Sequence, residues 1–257
     1  MIHPTAIVDP QAEISPEAEI GPYCIVRGEV NIGARTRLLA HAYLEGKLTI
    51  GEDNVFYPYC SCGVAPQDKK YKGEASETRI GSGNSIREFV TIHRGTEGGG
   101  MLTAIGDGNL LMAYVHIAHD VIVGNRTILA NGVTFAGHVI VEDHANIGGL
   151  SAIHQFCRIG RYCMIGSRSV IKQDVLPYSI TASDHDTQVY GANRVGLERA
   201  GYASESIEAL QNAFRILTRS GLNTSQAVCR IEEEVPATPE VANLLDFLRN
   251  SPRGFIK

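Results

Sequence analysis

Apolar residues recur at every sixth position of the chain from Ile2 to Ile171, with two interruptions. An α-helix repeats about every 3.6 residues and a strand about every 2 residues, so neither element alone accounts for this spacing. Twelve successive apolar positions in one register, at 44% apolar content, have a chance probability of about 5 × 10⁻⁵. The three runs are Ile2, Val8, Ile14, Ile20, Val26, Ile32, Leu38, Leu44, Ile50, Phe56, Cys62; Ile80, Ile86, Ile92; and Ile105, Leu111, Ile117, Val123, Leu129, Phe135, Val141, Ile147, Ile153, Ile159, Ile165, Ile171.

The other positions of each six-residue unit also follow a rule. The residue four positions after the apolar one is small or β-branched over most of the runs, as at Cys24, Val30 and Thr36. Glycine often follows the apolar residue directly, as at Gly21 and Gly33. This pattern is typical of a short strand and a tight bend, with two inward side chains and glycine relieving crowding at the turn. Stacking such units predicts a parallel β-solenoid.

The six-residue pattern resembles that of the hexapeptide-repeat transferases. The resemblance implies a mainly β fold, a left-handed parallel β-helix with three hexads per coil, followed here by a C-terminal α-helical domain. We therefore expect the β-helix over residues 1–178. Two polar, glycine-bearing segments, residues 63–79 and 93–104, break the repeat and are predicted to protrude as loops, where binding residues are common on a rigid scaffold.

The hydrophobic period changes beyond Pro177. A polar stretch, residues 179–188, is interpreted as a linker, and an α-helical domain is predicted over residues 191–257. Apolar residues from Ile207 to Leu217 share one helical face, which predicts a helix over residues 204–220. A second helix is expected over 225–234, and a third begins after Thr238, an N-cap residue followed by Pro239. On the first helix Arg215 and Arg219 project together, as a solvated basic face or as a docking surface.

Composition narrows the functional classes. The formal net charge of −5 argues against a nucleic-acid binder. The first residues lack a signal-peptide pattern, and no apolar run approaches the ~18 residues of a membrane span, so we predict a cytoplasmic protein without membrane insertion. The six cysteines form no C-x-x-C pair. Five of them fall on inward repeat positions and are interpreted as small buried hydrophobes: Cys24, Cys60, Cys62, Cys157 and Cys163.

Candidate chemistry concentrates on one predicted edge of the solenoid. Residues 18 apart occupy equivalent positions on successive coils, which stacks His119, Gly137 and Gln155 in one column. Three further histidines lie beside this column: His116, His138 and His154. A metal site is one interpretation, but the column holds glycine and glutamine rather than cysteines or a carboxylate set, so we predict neither metal nor cofactor. A histidine base oriented by Asp120 is the preferred interpretation, whereas His144 shares a different column with Arg126 and Tyr162 and is expected to be structural.

Longer sequence words sharpen the resemblance to one family of these transferases. The words are QDKKYKGE, IREFVTIHRGT, GDGNLLMAYVHIAHD, VGNRTILANGVTFAGHV, IHQFCRIG, GLERAGYASESIEALQNAFRILTRSG and SPRGFIK. They extend over most of the chain and are similar to those of the UDP-N-acetylglucosamine 3-O-acyltransferases. The resemblance implies transfer of an (R)-3-hydroxyacyl group from acyl carrier protein to the 3-hydroxyl of UDP-N-acetylglucosamine, the first step of lipid A biosynthesis. It also implies a homotrimer with active sites between subunits.

The resemblance assigns roles to individual residues. His119 would be the general base, Asp120 its orienting partner, and the Gly137 N–H the oxyanion donor. Ser167 would limit acyl length, and Arg215 and Arg219 become candidates for docking the acidic carrier protein. The residues implied to contact the sugar nucleotide or acyl donor are Asp68, Lys70, His116, His138, His154, Gln155, Asn193 and Arg199.

One departure and three alternatives stay open at the sequence level. Family members often carry two adjacent arginines in the tail, whereas here Arg199 is followed by Ala200. The acceptor could carry a 3-amino group instead of a 3-hydroxyl, and the donor could be a CoA thioester, although CoA-dependent relatives lack both loop motifs. A non-catalytic solenoid scaffold is the third alternative, and it leaves the polar column at His119 unexplained.

Overall fold

The computed structural model describes residues 1–183 and 187–257, and its first part is built from short strands. Strands β1 to β10 are Ile7–Val8, Glu13–Ile14, Glu19–Ile20, Ile25–Arg27, Val30–Ile32, Arg37–Leu38, Tyr43–Glu45, Lys47–Ile50, Val55–Phe56 and Ser61–Val64. Strands β11 to β13 are Glu77–Ile80, Ser85–Ile86 and Thr91–His93. Strands β14 to β25 are Leu102–Ile105, Leu110–Leu111, His116–Ile117, Ile122–Val123, Ile128–Leu129, Thr134–Phe135, Ile140–Val141, Asn146–Ile147, Ala152–Ile153, Arg158–Ile159, Met164–Ile165 and Val170–Ile171.

Every third strand belongs to the same parallel sheet, so the chain winds around three sheets. In the sheet that carries β16, β19 and β22, Ile117 lies opposite Phe135 and Phe135 lies opposite Ile153. These apolar residues are buried and stack along the interior. The predicted hexapeptide-repeat β-helix is therefore confirmed, because the sixth-position residues line its core.

The bends between sheets place particular residues on the prism edges. Asp120, His138 and Phe156 occupy equivalent bend positions with φ of 59°, 63° and 66°. Positive φ is uncommon for residues other than glycine, and here it recurs because each coil must turn within two residues. Side chains at these positions stack from coil to coil, as His138 does on Phe156 with ring centroids 4.5 Å apart.

The two insertions leave the wall without disturbing its register. Ser61 pairs with Thr91, 30 residues later, and Thr91 pairs with His116, 25 residues later, whereas uninterrupted coils pair residues 18 apart. The polar segments therefore loop out and the next strand resumes the same sheet. The second loop contains one turn of 3₁₀ helix, Glu97–Gly99.

The C-terminal part begins with an antiparallel hairpin of β26, Ser179–Ser183, and β27, Thr187–Ala192. The predicted linker, residues 179–188, was wrong where the structure describes it, because parallel pairing of β24 with β26 extends one wall of the β-helix. Residues 184–186 of that linker lie outside the described residues. The sequence pattern did not anticipate pairing between two polar segments.

Four α-helices follow the hairpin. They are α1, Arg194–Arg199; α2, Ser204–Arg219; α3, Thr224–Glu234; and α4, Pro239–Arg249. The last three confirm the predicted helices, and α1 was not predicted. In α2 the face that includes Ile207, Leu210 and Phe214 is buried, and Thr238 caps α4 by accepting a hydrogen bond from the Val241 N–H. Within residues 1–183 and 187–257, no helix combines the length and apolarity needed to cross a bilayer.

Two predictions about individual side chains are confirmed. The five inward cysteines are free and buried, while Cys229 is exposed. Burial raises the pKa of the Cys157 thiol to about 11, which keeps it protonated and unreactive near neutral pH. His144 stacks on Tyr162 with ring centroids 4.3 Å apart, so it supports an edge away from the His119 column.

Candidate active site

His119 and Asp120 form a hydrogen-bonded pair where β16 ends and the chain bends toward the next sheet. His119 Nδ1 lies 2.7 Å from Asp120 Oδ2. The Asp120 side chain is 1% exposed and the His119 side chain 16% exposed, so the carboxylate is covered and the imidazole reaches the surface. A carboxylate at Nδ1 favours the tautomer with its proton on Nδ1, which leaves Nε2 as an acceptor.

Gly137 lies directly against the His119 imidazole on the next coil. A Cβ built on Gly137 would lie 2.5 Å from His119 Cε1, closer than any side chain can approach. Backbone hydrogen bonds join the coils here, from the His138 N–H to the His119 carbonyl at 3.1 Å and from the Phe156 N–H to the Gly137 carbonyl at 3.2 Å. The column of His119, Gly137 and Gln155 predicted from spacing is therefore present.

A cavity of about 570 Å³ opens beside this column along the sheet of β16, β19 and β22. Its mixed lining of imidazoles, amides and aliphatic side chains suits a ligand with both polar and acyl parts. The predicted residues His116, His119, Gly137, His154 and Gln155 all line it. The remaining lining residues are Gln67, His93, Ala118, Thr134, Phe135, Ala136, Ala152, Ile153, Val170, Ile171 and Lys172.

His93 is a site residue that the sequence interpretation missed. It lines the cavity, is 4% exposed, and its ring meets that of His116 edge to face at 4.8 Å. Burial, with the neighbouring His116 and His119, lowers the pKa of His93 to about 4. The missed signal was the register across the second loop: Thr91 pairs with His116, which places His93 on the same stretch of wall.

His116 is held by the same strand. Its Nδ1 lies 2.7 Å from the Thr91 hydroxyl, and burial is the main cause that lowers its pKa, followed by the nearby His119. Two of the cavity histidines, His93 and His116, are therefore disposed to be neutral near pH 7. A neutral imidazole can accept or donate a hydrogen bond without repelling a cationic intermediate on His119.

His138 lies beside the pair but does not line the cavity. Its ring meets His119 edge to face at 5.0 Å, and its Nδ1 is 3.8 Å from Asp120 Oδ2. Burial lowers the pKa of His138, while the charges of Asp120 and Asp68 act to raise it. By distance alone, His119, Asp120 and His138 could hold a metal ion, since their ligand atoms fall within 4.8 Å of one another. The Asp120 oxygens, however, already accept hydrogen bonds from His119 and from Thr96.

The first loop brings Asp68 toward the histidines. Gln67 lines the cavity, and the influence of the Asp68 charge on the pKa of His138 places that carboxylate in the same region. Asp68 also accepts a hydrogen bond from the Lys70 N–H at 2.9 Å, which tightens the loop.

Three predicted residues are not brought to the cavity within one chain. Asn193 caps α1, accepting a hydrogen bond from the Gly196 N–H and donating one to the Tyr162 carbonyl. Arg199 is exposed at the end of α1, and Ser167 is exposed on a different bend of the prism. Arg215 and Arg219 line a second cavity, of about 410 Å³, between α2 and β27.

Known proteins share both the repeat and the tail. A family model described as UDP-N-acetylglucosamine O-acyltransferase, domain 2, matches residues 174–256, and a model of bacterial transferase hexapeptide repeats matches residues 103–137. The crystal structure of LpxA from Acinetobacter baumannii is 44% identical, with a TM-score of 0.96, and the match covers 100% of this chain and 99% of that chain.

Two further solved structures agree. LpxA from Bacteroides fragilis, a UDP-N-acetylglucosamine acyltransferase, is 42% identical with a TM-score of 0.96 over 100% of both chains. The UDP-N-acetylglucosamine O-acyltransferase of Moraxella catarrhalis is 44% identical with a TM-score of 0.95, covering 100% of this chain and 99% of that chain. The left-handed hand of the β-helix and the acyltransferase class inferred from sequence are thereby confirmed, and this chain belongs to the UDP-N-acetylglucosamine O-acyltransferase family.

Proposed function

We propose that the protein transfers an (R)-3-hydroxyacyl chain from the thioester of acyl carrier protein to the 3-hydroxyl of UDP-N-acetylglucosamine, at the start of lipid A biosynthesis. The observation that carries the proposal is the His119–Asp120 pair, 2.7 Å apart, facing Gly137 at the wall of a cavity. Membership of the family supports the same reaction. A carrier-bound donor places the protein in the cytoplasm.

His119 acts as the general base in this reaction. With its Nδ1 proton directed to Asp120, Nε2 accepts the proton of the sugar hydroxyl as that oxygen attacks the thioester carbonyl. Collapse of the tetrahedral intermediate forms the ester C–O bond and breaks the C–S bond. The imidazolium then returns its proton to the leaving thiolate, so His119 ends the cycle neutral.

Gly137 supports the negative charge that develops on the carbonyl oxygen. Within the described residues its N–H has no hydrogen-bond acceptor, and the absence of a side chain leaves that donor reachable from the cavity. An N–H already fixed in the wall needs no reorganisation when the oxyanion forms, which is the basis of such stabilisation.

The remaining predicted residues divide into two groups. His116, His138, His154, Gln155 and the loop residues Asp68 and Lys70 belong to the cavity region and contact the sugar nucleotide or donor. Asn193, Arg199 and Ser167 lie elsewhere on the chain. We propose that in a homotrimer they complete the cavity of a neighbouring subunit, Asn193 and Arg199 toward the nucleotide and Ser167 toward the acyl chain.

A direct assay tests the reaction. The protein is incubated with a series of (R)-3-hydroxyacyl carrier thioesters of different lengths, each with UDP-N-acetylglucosamine or its 3-amino analogue, and products are identified by mass. We expect one added acyl group on the 3-hydroxyl sugar. Transfer to the amino sugar alone would change the assigned acceptor. Transfer only from CoA thioesters would change the assigned donor, and no transfer at all would favour a scaffold.

Reversal of two charges tests carrier docking. Arg215 and Arg219 are exposed beside the α2–β27 cavity, and an acidic carrier should pair with them. Arg215→Glu with Arg219→Glu is expected to raise KM for the carrier-bound donor about tenfold or more, because two attractive contacts become repulsive. KM for the same acyl chain on pantetheine, which lacks the carrier protein, should not change.

A matched control has the same net charge. Arg230→Glu with Arg249→Glu reverses two exposed helix arginines, which pair with Glu234 and Glu232. This variant should keep the KM for the carrier-bound donor within about twofold of the original protein. Equal KM increases in both double variants would show a general charge effect and would remove Arg215 and Arg219 from the docking surface.

A further inference from the structure

The Asp120 carboxylate is held on the side opposite His119 by one residue of the second loop, Thr96. The Thr96 N–H donates to Asp120 Oδ1 at 2.8 Å, and the Thr96 hydroxyl donates to Oδ2 at 2.5 Å. Oδ2 is the oxygen that also faces His119 Nδ1. Both Thr96 and Asp120 are buried, so solvent does not compete for these bonds.

A short turn, Thr96–Met101, covers Asp120, and we refer to it as the covering turn. It is closed by hydrogen bonds to the Thr96 carbonyl from the N–H groups of Gly99, at 3.1 Å, and Met101, at 2.9 Å. The turn packs so tightly that a Cβ on Gly99 would lie 1.9 Å from Asp120 Cγ. Just after the turn, the Thr103 hydroxyl accepts the Asp120 N–H at 2.8 Å.

We propose that Thr96 is a positioning residue for the His119–Asp120 pair, and that the covering turn exists to place it there. The inference rests on the proposed function, since it takes His119 as the base. A carboxylate with a single partner can rotate about its Cβ–Cγ bond. Asp120, bound through both oxygens by Thr96, presents Oδ2 to His119 Nδ1 in one orientation, and the imidazole keeps Nε2 toward the cavity.

This arrangement predicts an effect on turnover rather than on substrate affinity. Thr96 contacts Asp120 and does not line the cavity, so its loss leaves the substrate contacts in place. Hydrogen bonds to charged groups are worth more than neutral ones and depend strongly on alignment, so loss of the hydroxyl should be visible in kcat.

Thr96→Val removes the hydroxyl and keeps the β-branched shape and the backbone N–H. We expect kcat to fall about tenfold or more, with KM for both substrates within about twofold. Thr96→Ser restores a hydroxyl at the same distance and should recover at least half of the original kcat. Unchanged kcat in Thr96→Val, or failure of serine to recover it, would overturn the positioning role.

Thr127→Val is the matched control. Thr127 is also buried, and its hydroxyl is bonded to the Asn109 side chain at 2.8 Å, on another edge of the β-helix. This variant loses a buried threonine hydroxyl without touching Asp120. It should lower the melting temperature as Thr96→Val does and keep kcat. An equal fall of kcat in both variants would assign the effect of Thr96 to stability.

The covering turn offers a second, independent pair of variants. Gly99→Ala forces a methyl group against Asp120 and should lower kcat at least as much as Thr96→Val. Gly98→Ala adds the same group at a neighbouring position where it would meet nothing within 4 Å, so it should behave as the original protein does. Equal activity of the two alanine variants would show that the covering turn does not fix Asp120.

A measurement without substrate separates this proposal from the proposed function. In protein carrying ¹⁵N-labelled histidine, the His119 ring should show a protonated Nδ1 and an unprotonated Nε2 at neutral pH. Thr96→Val should shift the two ring-nitrogen resonances toward a tautomer mixture, and Thr127→Val should leave them unchanged. An inactive original protein with this pattern would refute the proposed function alone, whereas identical spectra in all three proteins would refute the role of Thr96.

Discussion

His119→Ala is expected to lower kcat by about a hundredfold to ten-thousandfold while the protein stays folded. The imidazole is the group in the cavity that has a carboxylate partner at one nitrogen and an open path to the ligand at the other. Without it the sugar hydroxyl, a very weak acid, must lose its proton to water. Initial rates with carrier-bound donor and UDP-N-acetylglucosamine give kcat, and thermal unfolding reports the fold.

The control for this variant is His144→Ala. His144 stacks on Tyr162 at a different edge of the prism, so its removal deletes an imidazole of the same size without reaching the cavity. Its kcat should remain within about twofold of the original value. If His119→Ala kept full kcat in a folded protein, the base would have to be sought among the other cavity histidines, His93 and His116.

The parts of the fold that follow from local spacing could be predicted from the sequence. Each hexad buries one large and one small residue, so a period of six, read with glycine at the bends, specifies coil after coil. The same arithmetic placed Gly137 beneath His119 because both lie in an uninterrupted run. The antiparallel pairing of β26 and β27 was missed because it joins two polar segments that have no apolar alternation.

The site was predicted only as far as the uninterrupted register extends. His93 and Thr96 belong to the second loop, where the coil carries 25 residues between paired positions instead of 18, so counting from His119 does not reach them. Thr96 gives no chemical signal of its own, because a threonine acquires a role here only through the fold of the covering turn. Contacts made through irregular backbone depend on tertiary packing that residue spacing does not encode.

Glycine substitutions separate the chemical role of Gly137 from the structural roles of other glycines. At Gly137 the nearest atoms to an added Cβ belong to the His119 imidazole, at 2.5 to 3.0 Å. At Gly21 the nearest atom is the backbone carbonyl oxygen of Leu39, at 1.7 Å. A side chain can rotate away from a methyl group, but the wall of a coil cannot move without disturbing the adjacent strands.

Gly137→Ala should therefore lower kcat by about a hundredfold to a thousandfold, with a melting temperature close to that of the original protein. The methyl group displaces the imidazole from its bond with Asp120 and obstructs the approach of the carbonyl oxygen to the Gly137 N–H. Gly21→Ala should do the reverse, lowering the melting temperature while each folded molecule keeps its kcat. Rates normalised to the folded fraction distinguish the two. A Gly137→Ala protein with normal kcat would show that neither the imidazole position nor access to this N–H limits the reaction.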